Sequence, residues 1–162
     1  MTVGMMTAAS MRSFRRAVRK GDGAEVAALA TVGLSNARAA GDVAEHRRIG
    51  ESPIKPGTIN MVVLTDAILS DNAMVEALMV ATEAKTVALR ELGIRSTAGD
   101  GLATGTGTDA LAIVCGHGPR RANYCGKHVL LGEMIASAVI ESIKKSHGTK
   151  YHLRKQAAAS QG

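Results

Sequence analysis

ATGTGTDALAIVC, residues 103–115, falls into two unlike halves. The first alternates threonine with glycine (Thr104, Gly105, Thr106, Gly107, Thr108) and ends on Asp109. The second, Ala110 to Cys115, is apolar and is bounded by Gly116 and Gly118. A short apolar run between turn residues reads as a buried strand, which makes the first half a loop delivered to one end of a sheet. Glycine lets a ligand approach the main chain closely, and threonine adds hydroxyls that donate and accept. Such a loop suits an oxygen-rich or amide-rich ligand, or the oxyanion of an acyl transfer. The plainer alternative is a polar turn that feeds a strand. No Gly-Lys-Ser/Thr follows, so the loop is not a Walker phosphate cradle.

Upstream of this stretch, Thr58 to Thr65 (TINMVVLT) reads as a second strand after a Pro56-Gly57 turn, with Asp66 just past its end. Between the two strands, Ser70 is placed to cap a long helix from Asp71 to Leu92, ended by Gly93. Glu25 to Leu34 reads as a further strand, preceded by a Gly21-Asp22-Gly23 turn. Ser10 is placed to cap a short helix through Arg19, with Phe14 and Val18 inward; Val3 to Ala9 is a short apolar run of strand type. Residues 36–56 are polar and unpatterned, a length that in a compact domain usually signals function or mobility. Downstream, a second long helix is expected from Lys127 to Lys145. These elements predict an α+β fold, a mixed and mostly antiparallel sheet packed with the two long helices. The alternative is an α/β arrangement with a partly parallel sheet, since a βαβ unit fits between Thr58 and Cys115. Residues 1–150 are read as one domain and 151–162 as a disordered tail.

With 162 residues the chain can bury a real core, but Phe14, Tyr124 and Tyr151 are its only aromatics, so Ala, Val, Leu, Ile and Met must fill it. The formal net charge of +6 gathers near the ends, around Arg12 to Lys20 and Lys144 to Lys155. That makes basic flanks rather than a basic face, and no aromatic platform interleaves with them, so nucleic acid is not the expected partner. No apolar run spans a bilayer, so no membrane partner is expected either, and no basic leader precedes an apolar stretch at the N-terminus. The cytoplasm is the default location. Two cysteines make no disulfide framework.

The helix from Asp71 to Leu92 carries one oddity. Met74, Leu78, Ala81, Lys85, Ala88 and Leu92 share a face at about 100° per residue, and Lys85 is its only charge. A lysine on an apolar stripe must pair, snorkel or lose its proton, which makes it a candidate base or ligand anchor. Glu83 projects from the opposite side. His128 opens the last helix, where the dipole favours neutral imidazole. Asp66 and Asp109 each follow a threonine near a strand end, as caps or as acids at a cleft. Cys115, His117, Cys125 and His128 are chemically suited to Zn²⁺, although a C-x-H pair at a strand end is awkward.

Seven segments together resemble the adenosylcobinamide amidohydrolase family of corrinoid salvage: MTAAS (from Met6), ATVGLSNARAAG (from Ala30), GTIN (from Gly57), TDA (from Thr65), TEAKTVAL (from Thr82), ATGTGTDA (from Ala103) and YCGKHVLLGE (from Tyr124). Order and spacing are kept from about Met5 to Ile143. The resemblance implies hydrolysis of the amide between the corrin propionyl side chain and aminopropanol in adenosylcobinamide, giving adenosylcobyric acid. It calls for no protein-bound cofactor, because the cobalt belongs to the corrinoid substrate. It also implies a further N-terminal segment ahead of the MTAA motif. On the family's motifs the catalytic candidates are Glu83, Lys85, Asp109 and His128. The substrate-binding candidates are Asn36, Asn60, Asp66, Thr104, Thr106, Thr108 and Lys127. Two other functions compete: a corrinoid-binding relative that does not cleave, and a basic nucleic-acid module.

Overall fold

The computed structural model describes residues 4–46, 48–50 and 57–159, with side chains as far as residue 148. Val3, Pro56, part of the 36–56 connection and the last three residues of the expected tail lie outside the described set.

Among the described residues eight strands and two α-helices follow in order: β1 Arg15–Gly21, β2 Ala24–Val32, β3 Ala37–Arg38, β4 Ile59–Thr65, β5 Ile68–Leu69, α1 Asp71–Glu91, β6 Gly105–Thr106, β7 Ala110–Val114, β8 Arg121–Ala122 and α2 Leu130–Ala159. The main sheet has the order β1-β2-β4-β7. Its first three strands are antiparallel, whereas β4 and β7 run parallel with α1 between them. The fold is therefore α+β with a partly parallel sheet, and both expectations about the sheet meet in one molecule. Two short pairs, β3 with β6 and β5 with β8, pin loops at the two ends of the sheet.

Four local expectations need correcting. The helix expected to follow Ser10 is instead a short 3-10 turn, Met11–Ser13, that leads into strand β1. Phe14 and Val18 are four apart, as on a helix, yet the Asp22-Gly23 turn has φ of 46° and 72° and so folds β1 back onto β2 as a hairpin, which is what an Asp-Gly pair favours. The apolar run of residues 3–9 forms no strand among its described residues. β7 is an edge strand with half-buried side chains, and Val114 is exposed; a sheet end covers an apolar run on fewer sides than a central strand does. Finally, α2 starts at Leu130 and continues past Lys145 and through Gly148. One interior glycine costs only about 1 kcal/mol, and the Ala, Lys, Arg and Gln that follow are good helix formers.

α1 begins and ends where its sequence says. The Ser70 hydroxyl accepts from the Ala73 N–H at 3.2 Å, and Gly93 takes φ 64° just beyond the last turn. Its buried face is not quite the expected stripe. Ala73, Ala77, Ala81, Ala84 and Ala88 are buried with Val80, Lys85 and Leu89, while Leu78, Val75 and Met79 are exposed. Alanines let α1 lie close against α2, and close approach decides the face more than side-chain size does. The core forms between these helices and one face of the sheet: Ala17, Val26, Ala28, Ala30, Val32, Ile59, Met61 and Val63. No aromatic residue joins it among the described residues. No helix is long and apolar enough to cross a membrane among the described residues.

Candidate functional site

β4 and β7 are parallel, so their N-terminal ends lie side by side, and the Thr/Gly loop arrives there. The loop is held by one carboxylate. Asp109 Oδ1 accepts from the Thr106 hydroxyl (2.5 Å), the Thr106 N–H (3.1 Å) and the Ile59 N–H at the start of β4 (3.1 Å). Oδ2 also lies 3.1 Å from the Thr106 N and takes an ion pair with Lys85 Nζ. Both side chains of that pair are largely buried, 11% exposed for Lys85 and 14% for Asp109. A lysine so enclosed keeps its charge only beside a counter-charge. The pairing explains why a cation can sit on the apolar face of α1.

The remaining contacts close the loop around this pair. The Thr108 hydroxyl donates to the Gly57 carbonyl at 2.8 Å, and the Thr58 hydroxyl lies within hydrogen-bond reach of both the Thr108 carbonyl and Asn60 Oδ1. Thr104 Oγ1 accepts from the Ala40 N–H at 2.8 Å, and the Thr86 hydroxyl on α1 donates to the Thr104 carbonyl at 3.2 Å. The Asn36 carbonyl accepts from the Gly107 N–H, and its buried side chain lies against Gly57. Two glycines are obligatory here. A Cβ on Gly105 would stand 2.8 Å from Lys85 Nζ and overlap the Asp109 carboxylate; at Gly57, which has φ 136°, it would overlap the Asn36 amide.

Lys85, Asp109, Thr104, Thr106, Thr108, Asn36 and Asn60 are thus assembled at one end of the sheet. Thr58, absent from the sequence-derived candidates, sits in the middle of them; the GTIN segment was its visible mark. The other candidates lie elsewhere. Asp66 caps the far end of β4, accepting from the Glu25 N–H at 2.8 Å, about 20 Å from Asn60 at the rise of a strand. Glu83, two residues and hence about 200° around α1 from Lys85, is exposed and pairs with Lys127 at 2.5 Å. His128 is exposed beside that pair in the chain. Among the described residues no hydrogen bond or ion pair links Glu83, Lys127 or His128 to the Asp109 cluster.

The Cys/His grouping does not close into a metal centre. No three His, Cys, Asp or Glu side chains converge on one point among the described residues. Cys125 is buried at the foot of α2, where its N–H donates to Glu76 Oε2 at 2.5 Å. Burial, and after it the Glu76 charge, pushes the Cys125 thiol up to about 11.

The family model described as adenosylcobinamide amidohydrolase matches residues 1–155 of this chain. An uncharacterized protein of Methanocaldococcus jannaschii is 50% identical over 88 residues, 54% of this chain and 34% of that protein. Proteins named adenosylcobinamide amidohydrolase are similar in two further organisms. The one from Halobacterium salinarum is 33% identical over 127 residues (75% of this chain, 49% of the relative), and the one from Methanosarcina mazei is 32% identical over 152 residues (88% and 64%). The chain therefore matches between about a third and two thirds of each relative's length. No solved structure matches it.

Proposed function

Because the chain belongs to the adenosylcobinamide amidohydrolase family, we propose that it hydrolyses the amide joining the corrin propionyl side chain to aminopropanol in adenosylcobinamide, releasing adenosylcobyric acid and the amino alcohol. The observation that supports this reading best is the Thr/Gly loop braced by the Lys85–Asp109 pair. In amide hydrolysis water adds to the carbonyl carbon, the C=O electron pair becomes an oxyanion, and the C–N bond breaks as the amine takes a proton. Lys85 supplies fixed positive charge where that oxyanion forms. Asp109 is not the base in this scheme, since donors already occupy both its oxygens; it positions Lys85 and the loop. Asn36, Asn60, Thr104, Thr106 and Thr108 shape the mouth around the scissile amide. Glu83 and His128, with Lys127 beside Glu83, stand apart from this cluster and are kept as candidates for the water's proton on the family's motifs alone, to be decided by substitution. Asp66, at the opposite end of β4, is left out of the proposed site.

The test is product analysis after mixing the protein with adenosylcobinamide, with and without chelator. Release of adenosylcobyric acid supports the reading, and the chelator arm reports whether a metal takes part. Glu83→Gln with retained fold and undiminished release would remove Glu83 from the catalytic set.

A further inference from the structure

Among the described residues the helices cover one face of the main sheet, and the N-terminal segment lies against one end of the other. The other face carries Val18, Ala27, Leu29, Val62, Leu64, Ala112 and Val114, apolar residues that alternate with the core-facing set and lie in register across all four strands. β4 is therefore apolar on both sides, the pattern of a strand meant to be covered twice. At the end of this face nearest the Thr/Gly loop, Met5, Met11, Phe14 and Leu29 wall a groove of about 160 Å³, with Thr31 and Asn60 at its floor. Thr31 is only 6% exposed, and its hydroxyl has no hydrogen-bond partner among the described residues. A buried hydroxyl in that position asks for a polar ligand atom. The cross-strand neighbour Asn60 connects the groove to the loop, because its Oδ1 lies 3.2 Å from the Thr58 hydroxyl, which also reaches the Thr108 carbonyl.

We infer that this groove is a subsite for a primary carboxamide carried on a large apolar ring, the hydroxyl of Thr31 bonding the amide and the Met/Phe walls holding the ring edge. The inference rests on the corrinoid reading above, since a corrin ring bears acetamide and propionamide arms around an apolar body. A carboxamide both donates and accepts, as a threonine hydroxyl does. Methionine side chains adapt to an irregular ring edge. The volume fits one arm rather than a whole ring, so the bulk of the ligand lies over the open sheet face.

The experiment measures binding of cobinamide and of cobyric acid separately from hydrolysis, in the wild type, Thr31→Val and Thr31→Ser. Cobyric acid lacks the scissile amide but keeps the other arms. Thr31→Val is expected to weaken both ligands about tenfold, the worth of one hydrogen bond. Its thermal midpoint is expected not to fall, since the change removes an unpartnered hydroxyl, and Thr31→Ser is expected to restore binding to within about twofold. Equal binding by wild type and Thr31→Val overturns the subsite even if cobinamide is hydrolysed. A wild type that binds neither corrinoid overturns it as well. Binding that depends on Thr31 without any hydrolysis keeps the subsite and removes the proposed activity.

Discussion

Asp109 does most of the organising at the level of single residues. Its carboxylate joins an α-helix (Lys85), a loop (Thr106) and a strand (the Ile59 N–H) at one point. Asp109→Asn keeps the shape but leaves Lys85 largely buried without its counter-charge, which costs about 3 kcal/mol of stability; a denaturant titration reads that loss. On the proposed function the same variant and Lys85→Met lower kcat by about 100-fold or more. Cys125 makes a second residue-level prediction. A thiol pushed to about 11 is neutral at pH 8, so iodoacetamide should label the half-buried Cys115 first, as peptide mass spectrometry will show. Lys85 was legible because a lone charge on an apolar stripe demands a partner. Thr58 was marked only by the GTIN segment, because a threonine at a strand start looks the same whether or not it holds a neighbouring loop.

Among the elements, the helix α1 shows where sequence pattern guides and where it misleads. Ser70 and Gly93 marked its ends, because caps are local chemistry. Its buried face was displaced from the expected stripe because alanines, which contribute little hydrophobic signal, allow α1 and α2 to come close. Ala84→Leu should therefore overpack that contact and cost about 1–3 kcal/mol, whereas Met79→Leu on the exposed side should change stability by less than about 0.5 kcal/mol. Thermal melts of the two variants compare them directly. Strand β1 hid behind its arginines: Arg15, Arg16 and Arg19 conceal the alternation that leaves Ala17 alone buried. The Asp22-Gly23 hairpin turn carried the better information. The loop's fold was legible as glycine and threonine, but the contacts that stitch residues 36–40 to residues 104–107 cross more than sixty positions and leave no periodic trace.

At the scale of the whole molecule, the sheet is closed on one side by α1 and α2, and on the other, among the described residues, the N-terminal segment covers one end. The β1 edge is tied to α2 through Arg19, whose guanidinium meets Glu141 Oε2 at 2.6 Å. The bonds from Lys145 and Arg19 hold the Glu141 carboxyl below its ordinary range. A depressed carboxyl contributes stability that is present above its unfolded value and lost as pH falls through the folded one. Glu141→Gln should therefore flatten the acid side of a stability-versus-pH curve and leave the slope above pH 6 unchanged. The partly parallel sheet follows from α1 standing between two apolar runs. The apolar second face was written in the sequence as apolar residues on both sides of β4, but a pattern of that kind names no occupant.

On the proposed function, the loop braced by Lys85 and Asp109 supports amide hydrolysis of a corrinoid. The most direct measurement is single-turnover release of adenosylcobyric acid from adenosylcobinamide by the wild type and by Asp109→Asn, with the fold of each verified. Product is expected from the wild type, and a rate lower by about 100-fold or more from Asp109→Asn. Wild-type product with an undiminished Asp109→Asn rate, or no product from the folded wild type, would contradict that reading.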